Sequence, residues 1–227
     1  METIKWRLIY CKLPKVIMKF GVEGEMKSFT LGIMVLAFLL NGCAHDSPSV
    51  QFYRLNADSG VDRTRQIPVA TQGPVIGLGP IRIPEYLNRP QMMVAITDNQ
   101  YQLSEDHRWA ERLDQNISLA LFKTLPSQLG TDRIVRYPWS QRQVVDYQVG
   151  IDILEFNVDA SGQSRLIAQW FVKHKDKPSI DKRSVYQFPA STTDYAVMVK
   201  AQSQCLSKLG EDIAVTLRQL MASEGGK

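Results

Sequence analysis

Residues 147–174, YQVGIDILEFNVDASGQSRLIAQWFVKH, decide how this chain folds. Tyr147, Val149, Ile151 and Ile153 alternate with polar or small neighbours, the two-residue period of a strand with one buried face. The phase then slips, and Leu154, Phe156 and Val158 become the apolar set. A slip of one residue turns every side chain to the opposite face, so a β-bulge is expected near Leu154. Asp159-Ala160-Ser161-Gly162 reads as a turn. Over 165–174 a second strand puts Leu166, Ala168, Trp170 and Val172 on one face.

Downstream, a further strand over 183–188 stops at Pro189. A helix then begins near Asp194, with Thr192 or Thr193 as its cap. Met198, Leu206, Leu209, Ile213, Leu217 and Leu220 line one face of it. The last residues, 222–227, are expected as a disordered tail.

Upstream, 133–137 makes a short strand, and before it comes the clearest helical pattern. Ser104 is expected to cap this helix, with Glu105 and Asp106 favourable to the helix dipole in the first turn. Trp109, Leu113, Ile117, Leu121 and Leu125 recur every four residues, and Pro126 and Gly130 are expected to end it. Residues 92–96 and 101–103 read as a hairpin around Asp98-Asn99. The apolar run 75–83 is a strand with a bulge at Gly77-Leu78-Gly79, placed at an edge or broken by Pro80 and Pro84. Residues 51–55 are a first strand, and 56–73 are a polar loop. Long, mostly adjacent strands with two substantial helices predict one α+β domain over 51–221: a mixed, mostly antiparallel sheet covered by two main helices.

The N-terminal region is different in kind. Residues 29–40, FTLGIMVLAFLL, carry no charge, yet the run is shorter than the roughly 20 residues a spanning helix needs. An apolar core of this length behind the basic Lys27 fits a secretory signal. Leu40-Asn41-Gly42-Cys43 follows, and it resembles the lipobox of bacterial lipoproteins. That resemblance implies cleavage before Cys43 and acylation of Cys43, which becomes the N-terminus of a tether over 43–50. Several acyl chains anchor a protein stably where one holds it only marginally. Ala44 rather than Asp after the cysteine favours sorting to the outer membrane, the chain facing the periplasm. Residues 1–25 are long for the start of a signal, and translation is expected to begin at Met26.

Six of the 27 basic residues and three of the 23 acidic ones precede Cys43. The mature chain is therefore close to neutral, and it lacks the basic field on which nucleic-acid binding depends. Of three cysteines, Cys11 falls in the leader and Cys43 takes lipid. Cys205 is left without a disulfide partner and reads as a small buried core residue.

Catalytic equipment is sparse. No G-x-S-x-G, H-E-x-x-H or G-K-[ST] motif occurs. Gly77-Leu78-Gly79 is followed by Pro80 and fits a bulged strand better than a dinucleotide loop. His45, His107 and His174 are scattered, without the paired ligands a metal site needs, and read as solvated. Glu105-Asp106 and Glu211-Asp212 read as helix surface, and the charged run 173–177 as a solvated hairpin tip. The expectation is no enzyme, no metal and no cofactor.

Residues 79–125 are informative as a whole: GPIRIPEYLNRPQMMVAITDNQYQLSEDHRWAERLDQNISLALFKTL. The runs Ile83-Pro84-Glu85-Tyr86-Leu87, Arg89-Pro90-Gln91 and Arg108-Trp109-Ala110-Glu111 resemble the PqiC/YmbA-like family of ABC-transport auxiliary lipoproteins. So do Phe52-Tyr53-Arg54-Leu55 after the lipobox and the strand ending near Glu155-Phe156. The resemblance implies a non-enzymatic outer-membrane lipoprotein working beside a PqiB-like MCE-domain protein that forms a lipid tunnel across the periplasm. It also implies a homo-oligomeric ring that receives the far end of that tunnel. Pro84 and Pro90 bracket Tyr86 and Leu87 on a stiffened loop, which with Arg89 is the candidate partner contact. The alternative is that Tyr86 and Leu87 simply pack near Trp109. A second functional class is a lipoprotein that itself binds a lipid or small ligand between its apolar strands.

Overall fold

The computed structural model describes residues 49–56, 72–175 and 177–225. Cys43, the leader and most of the polar loop before Gly73 lie outside the described residues. In chain order the elements are β1 (Gln51–Tyr53), β2 (Ile76–Arg82), a 3-10 turn (Glu85–Leu87), β3 (Gln91–Thr97) and β4 (Gln100–Trp109). Then come α1 (Leu113–Leu129), β5 (Ile134–Arg136), β6 (Tyr147–Val158), β7 (Gln163–His174), β8 (Ile180–Pro189) and α2 (Tyr195–Gly225). This is the expected α+β arrangement of one mixed sheet and two helices.

The ladder of β6 with β7 is the spine. It is antiparallel from Tyr147 opposite His174 to Val158 opposite Ser164, and its register shifts between Ile153 and Glu155. The bulge at Leu154 therefore does what the sequence phase requires. Ile151 and Ile153 before it, and Phe156 and Val158 after it, all reach the same core. β8 pairs antiparallel along β7. On its other side β6 is shared. Its first half carries β2 in parallel as far as Asp152 opposite Arg82, while its end carries β3 at Val158 opposite Val94. The sheet forks there, and the 3-10 turn lies on the chain segment that leaves one branch and joins the other. β5 extends the β2 branch in parallel; β4 and then β1 extend the β3 branch.

β2 is thus an interior strand, not an edge. Pro80 is tolerated there because the ladder to β6 skips between Leu78 and Ile81, so its missing N–H faces no partner. Gly79 has φ +121, and a Cβ there would meet the Tyr137 Cβ at 2.6 Å, so only glycine fits.

Two helix boundaries also differ from expectation. Residues 104–109 are strand, and α1 begins only at Leu113. Ser104 does make the bond that a helix cap makes: its Oγ accepts the His107 N–H three residues on, at 3.2 Å. Here that bond closes an arch in β4, which advances from Leu103 to Arg108 while β3 advances only from Met93 to Gln91. Glu105 and Asp106 consequently belong to a strand rather than to a helix. Pro126 lies inside α1, in its last turn, and the helix runs on to Leu129 before Gly130, with φ 69, closes it by an N–H bond to the Pro126 carbonyl. For α2 the cap is Asp194, whose Oδ1 accepts the Ala196 and Val197 N–H groups at 2.9 and 3.1 Å. The same helix continues to Gly225, into the expected tail.

The core lies between the helices and one face of the sheet. Leu166, Ala168, Trp170 and Val172 of β7 meet Met198, Cys205, Leu206 and Leu209 of α2 in one buried cluster. Cys205 is fully buried, and burial pushes its thiol up to about 11. No helix among the described residues is long and apolar enough to cross a membrane.

Candidate functional site

The two proline-flanked motifs converge. The Trp109 N–H donates to the Pro90 carbonyl at 2.7 Å, and Gln91 pairs with Arg108. Arg89, Pro90, Trp109, Glu111 and Arg112 then border a surface cleft of about 260 Å³. Arg89 is exposed at its mouth. Arg112 holds Asp114 through two bonds of 3.1 Å, which fixes its planar fork at the foot of α1. β1 reaches this region as well, because the Ala110 N–H donates to the Tyr53 carbonyl at 2.8 Å. Tyr53, His107 and Tyr195 stack in sequence, at 5.8 Å and 3.9 Å between centroids, and tie β1, β4 and the start of α2 together.

The three expected contact residues part company. Leu87 is 6% exposed and packs with Trp109, Leu113, Met92 and Phe156 around an interior gap of about 10 Å³. It is a core residue that plugs the fork in the sheet, so the packing alternative holds for it. Tyr86 is half-buried, packed against the margin of the same core and onto Tyr101 at 5.3 Å between ring centroids. Its hydroxyl is pushed above the ordinary range, first by burial and then by Tyr101 and the Glu155 carboxylate. Only Arg89 is fully open. Two of the three histidines differ from expectation, His45 lying outside the described residues: His107 is stacked as described, and His174 lies on Tyr147 at 4.4 Å. Neither is simply solvated.

Tyr86 leads to residues that carry no motif in the sequence. The Tyr101 hydroxyl accepts a bond of 3.4 Å from Asn157 Nδ2. Asn157, Glu155 and Arg165 share the outer face of β6 and β7, beside Asp98 of the β3–β4 turn and Asp159 of the β6–β7 turn. Together they line an open cleft of about 470 Å³. Burial acts to raise the Asp159 carboxyl, but bonds from Ser161 and Gln163 outweigh it and hold the group below the usual carboxylate range. Among the described residues, no three His, Cys, Asp or Glu side chains come together to hold a metal ion.

A family model described as "ABC-type transport auxiliary lipoprotein component" matches residues 53–214. The chain belongs to that family. This auxiliary component is 24% identical over 191 residues to the intermembrane transport lipoprotein PqiC of Escherichia coli K12, covering 83% of this chain and 97% of the relative. The same protein of Shigella flexneri matches equally. Among solved structures, an uncharacterized protein superposes with a TM-score of 0.61 at 20% identity, over 74% of this chain and 99% of that one. A Xanthomonas campestris protein does so with a TM-score of 0.54 at 16% identity, over 76% and 95%. Both share the fold of the auxiliary component. The matched span takes in both motif segments and the Tyr101–Asn157 cleft.

Proposed function

We propose that this chain is an outer-membrane lipoprotein, anchored by lipid on Cys43, that docks the periplasmic MCE-domain tunnel of an ABC-type intermembrane lipid transport system. Several copies form a ring around the end of that tunnel. The chain contributes binding surface and anchorage rather than catalysis. Family membership and the likeness to PqiC support the transport role. The observation that carries the docking role is the cleft between the Asn88–Pro90 and Trp109–Arg112 segments. It presents Arg89 on a stiff support, next to the strand that leads out toward the anchor. Strand β1 starts at Gln51, eight residues after Cys43. A tether of that length reaches at most about 28 Å, so this face stays near the membrane while its rim remains open.

The test is capture of the full lipidated chain after crosslinking in intact cells, with mass spectrometry of everything retained and of the chain's own N-terminus. An MCE-domain protein should come with the wild type and be lost from Arg89→Glu, whose fold is unchanged because Arg89 is exposed. Recovery of the lipoprotein alone, despite crosslinking, would overturn docking and favour the ligand-binding class. A mature chain starting anywhere other than acylated Cys43 would overturn the anchor.

A further inference from the structure

Exposed apolar side chains gather on the branch of the sheet where the chain enters the domain. Of the twelve large hydrophobic residues exposed among the described residues, five lie on β1, just before it, or on the β3–β4 hairpin: Val50, Phe52, Ile96, Tyr101 and Leu103. Strand alternation sorts β1. Tyr53 turns inward to its stack with His107, and Leu55 turns inward to 3% exposure. Val50, Phe52 and Arg54 therefore turn outward; Phe52 is 65% exposed, and Arg54 is exposed as well. β1 ends its branch of the sheet, with β4 on one side of it and no strand among the described residues on the other.

The same outer face continues on β4. Tyr101 stands on it, where its hydroxyl meets Asn157, and Leu103 follows two positions on. β1 runs parallel to β4 with Gln51 opposite His107. Residues 101–103 consequently lie on the side from which the chain comes into β1. Phe52, Tyr101 and Leu103 thus share one face of one branch, and they lie toward the tether.

That position decides what covers them. Cys43 stands eight residues before Gln51, a reach of at most about 28 Å. An acylated Cys43 therefore holds a bilayer beside this face permanently, at an effective concentration that no freely diffusing partner matches. The order of side chains fits the occupant. From Val50 to Arg54, about 13 Å of strand passes from aliphatic to aromatic to cationic. An arginine stem lies along apolar surface while its charge stays in water. Aromatic and aliphatic groups arranged in this way sink about 5–10 Å into the boundary between headgroups and acyl chains. Asp98 and Glu105 on the hairpin are exposed carboxylates, so the fit is to that apolar boundary rather than to anionic headgroups.

We infer that the outer face of β1 and β4, with Phe52 at its centre, lies in the surface of the membrane that holds the anchor and fixes the orientation of the domain upon it. The inference rests on the anchor reading above and adds a second point of attachment to it.

The test uses the mature lipidated chain reconstituted into phosphatidylcholine vesicles, with a nitrobenzoxadiazole probe on single introduced cysteines. Cys205 is fully buried, so the introduced thiol is the one that reacts. Phe52→Cys, Val50→Cys and Leu103→Cys should be quenched by lipids carrying a nitroxide on the acyl chain and shielded from iodide in the water. Gln51→Cys, equally near the anchor but on the other side of the strand, should show the reverse, as should Val144→Cys on the exposed loop before β6. Phe52→Asp added to Leu103→Cys should shift that probe about tenfold toward water, and 0.5 M salt should change neither result. Iodide quenching at 52 as free as at 144 would overturn the proposal. So would equal lipid quenching at 51 and 52, which is mere nearness, or shielding of 52 from both quenchers, which is a protein contact. Mass spectrometry of the N-terminus separates the two readings. A water-facing probe at 52 on a chain acylated at Cys43 sinks this proposal alone. A free Cys43 with the probe at 52 still among acyl chains sinks the anchor alone.

Discussion

The two faces of the β6–β7 ladder are made by alternate residues of the same strands and could hardly be less alike. Toward the helices, Phe156, Val158, Leu166, Ala168, Trp170 and Val172 are at most 2% exposed and belong to one buried apolar cluster. Even the Trp170 indole N–H there donates, to Ser184 Oγ at 3.1 Å. On the opposite face stand Glu155, Asn157 and Arg165, with Val185 of β8 52% exposed beside them. Two buried polar atoms of that face, Asn157 Oδ1 and Arg165 Nε, lack hydrogen-bond partners. Apolar packing is concentrated on one side of a single backbone layer and charged and polar side chains on the other. One residue step along the chain is enough to pass from one role to the other.

Adjacent positions on β6 test that division most directly. Phe156→Ala should cost about 3–5 kcal/mol by cavity formation, read as a large fall in the urea midpoint of the detergent-solubilised chain. Glu155→Gln, the next residue, should shift that midpoint by less than about 0.5 kcal/mol. Equal losses at the two sites would erase the distinction between the faces.

A second, smaller effect sits where a polar group does enter the helix side. Asn116 of α1 is fully buried and its Oδ1 accepts the Leu55 N–H at 3.2 Å. Asn116→Ala should cost about 1–3 kcal/mol and raise the rate of proteolysis near residues 54–56, since the segment after β1 loses its acceptor. The third effect is pH-dependent. Asp146 holds its carboxyl below the usual range, chiefly through the Val75 N–H at 2.8 Å and then through Lys175 at 3.2 Å. Its folded value is depressed, so its contribution is complete above the ordinary carboxylate value of about 3.9 and disappears as pH falls through the folded value. Denaturation from pH 6 down to pH 2 should show this loss, of about 1 kcal/mol, in the wild type and not in Asp146→Asn. A wild-type profile that matched the variant would remove the Val75 contact from the account.

How far the sequence carried the fold depended on whether a local signal had one meaning. Alternation over 147–174 had one, and the ladder, the bulge at Leu154 and the buried set followed from it. Ser104 had two meanings, because a hydroxyl that accepts the N–H of residue i+3 can cap a helix or close an arch in a strand. The four-residue recurrence from Trp109 fitted the first, while pairing of β4 with β3 and β1 selects the second. Pro80 pointed to an edge because a ladder normally needs every N–H; the skip in register removed that need. The candidate site was legible in part. Arg89 and the motif around Trp109 could be picked out, but Leu87 was drawn inward by a fork in the sheet that no local pattern announces. Tyr101, Asn157 and Arg165 carry no motif. They meet only because β4, β6 and β7 are brought together across the 64 positions that separate Tyr101 from Arg165.

The parallel seating of β1 on β4 has a mechanical meaning. β1 pairs side by side with residues 107–109 of β4, and just beyond it the Leu55 and Asn56 N–H groups are held by Asn116 and by Ser203 of α2. A pull directed along β1 meets these bonds side on. It loads these lateral bonds together, in shear, instead of peeling them one after another. Resistance to such a pull is governed by the rate of forced unfolding rather than by equilibrium stability, so a strand only three residues long can serve as the clamp through which traction reaches the domain.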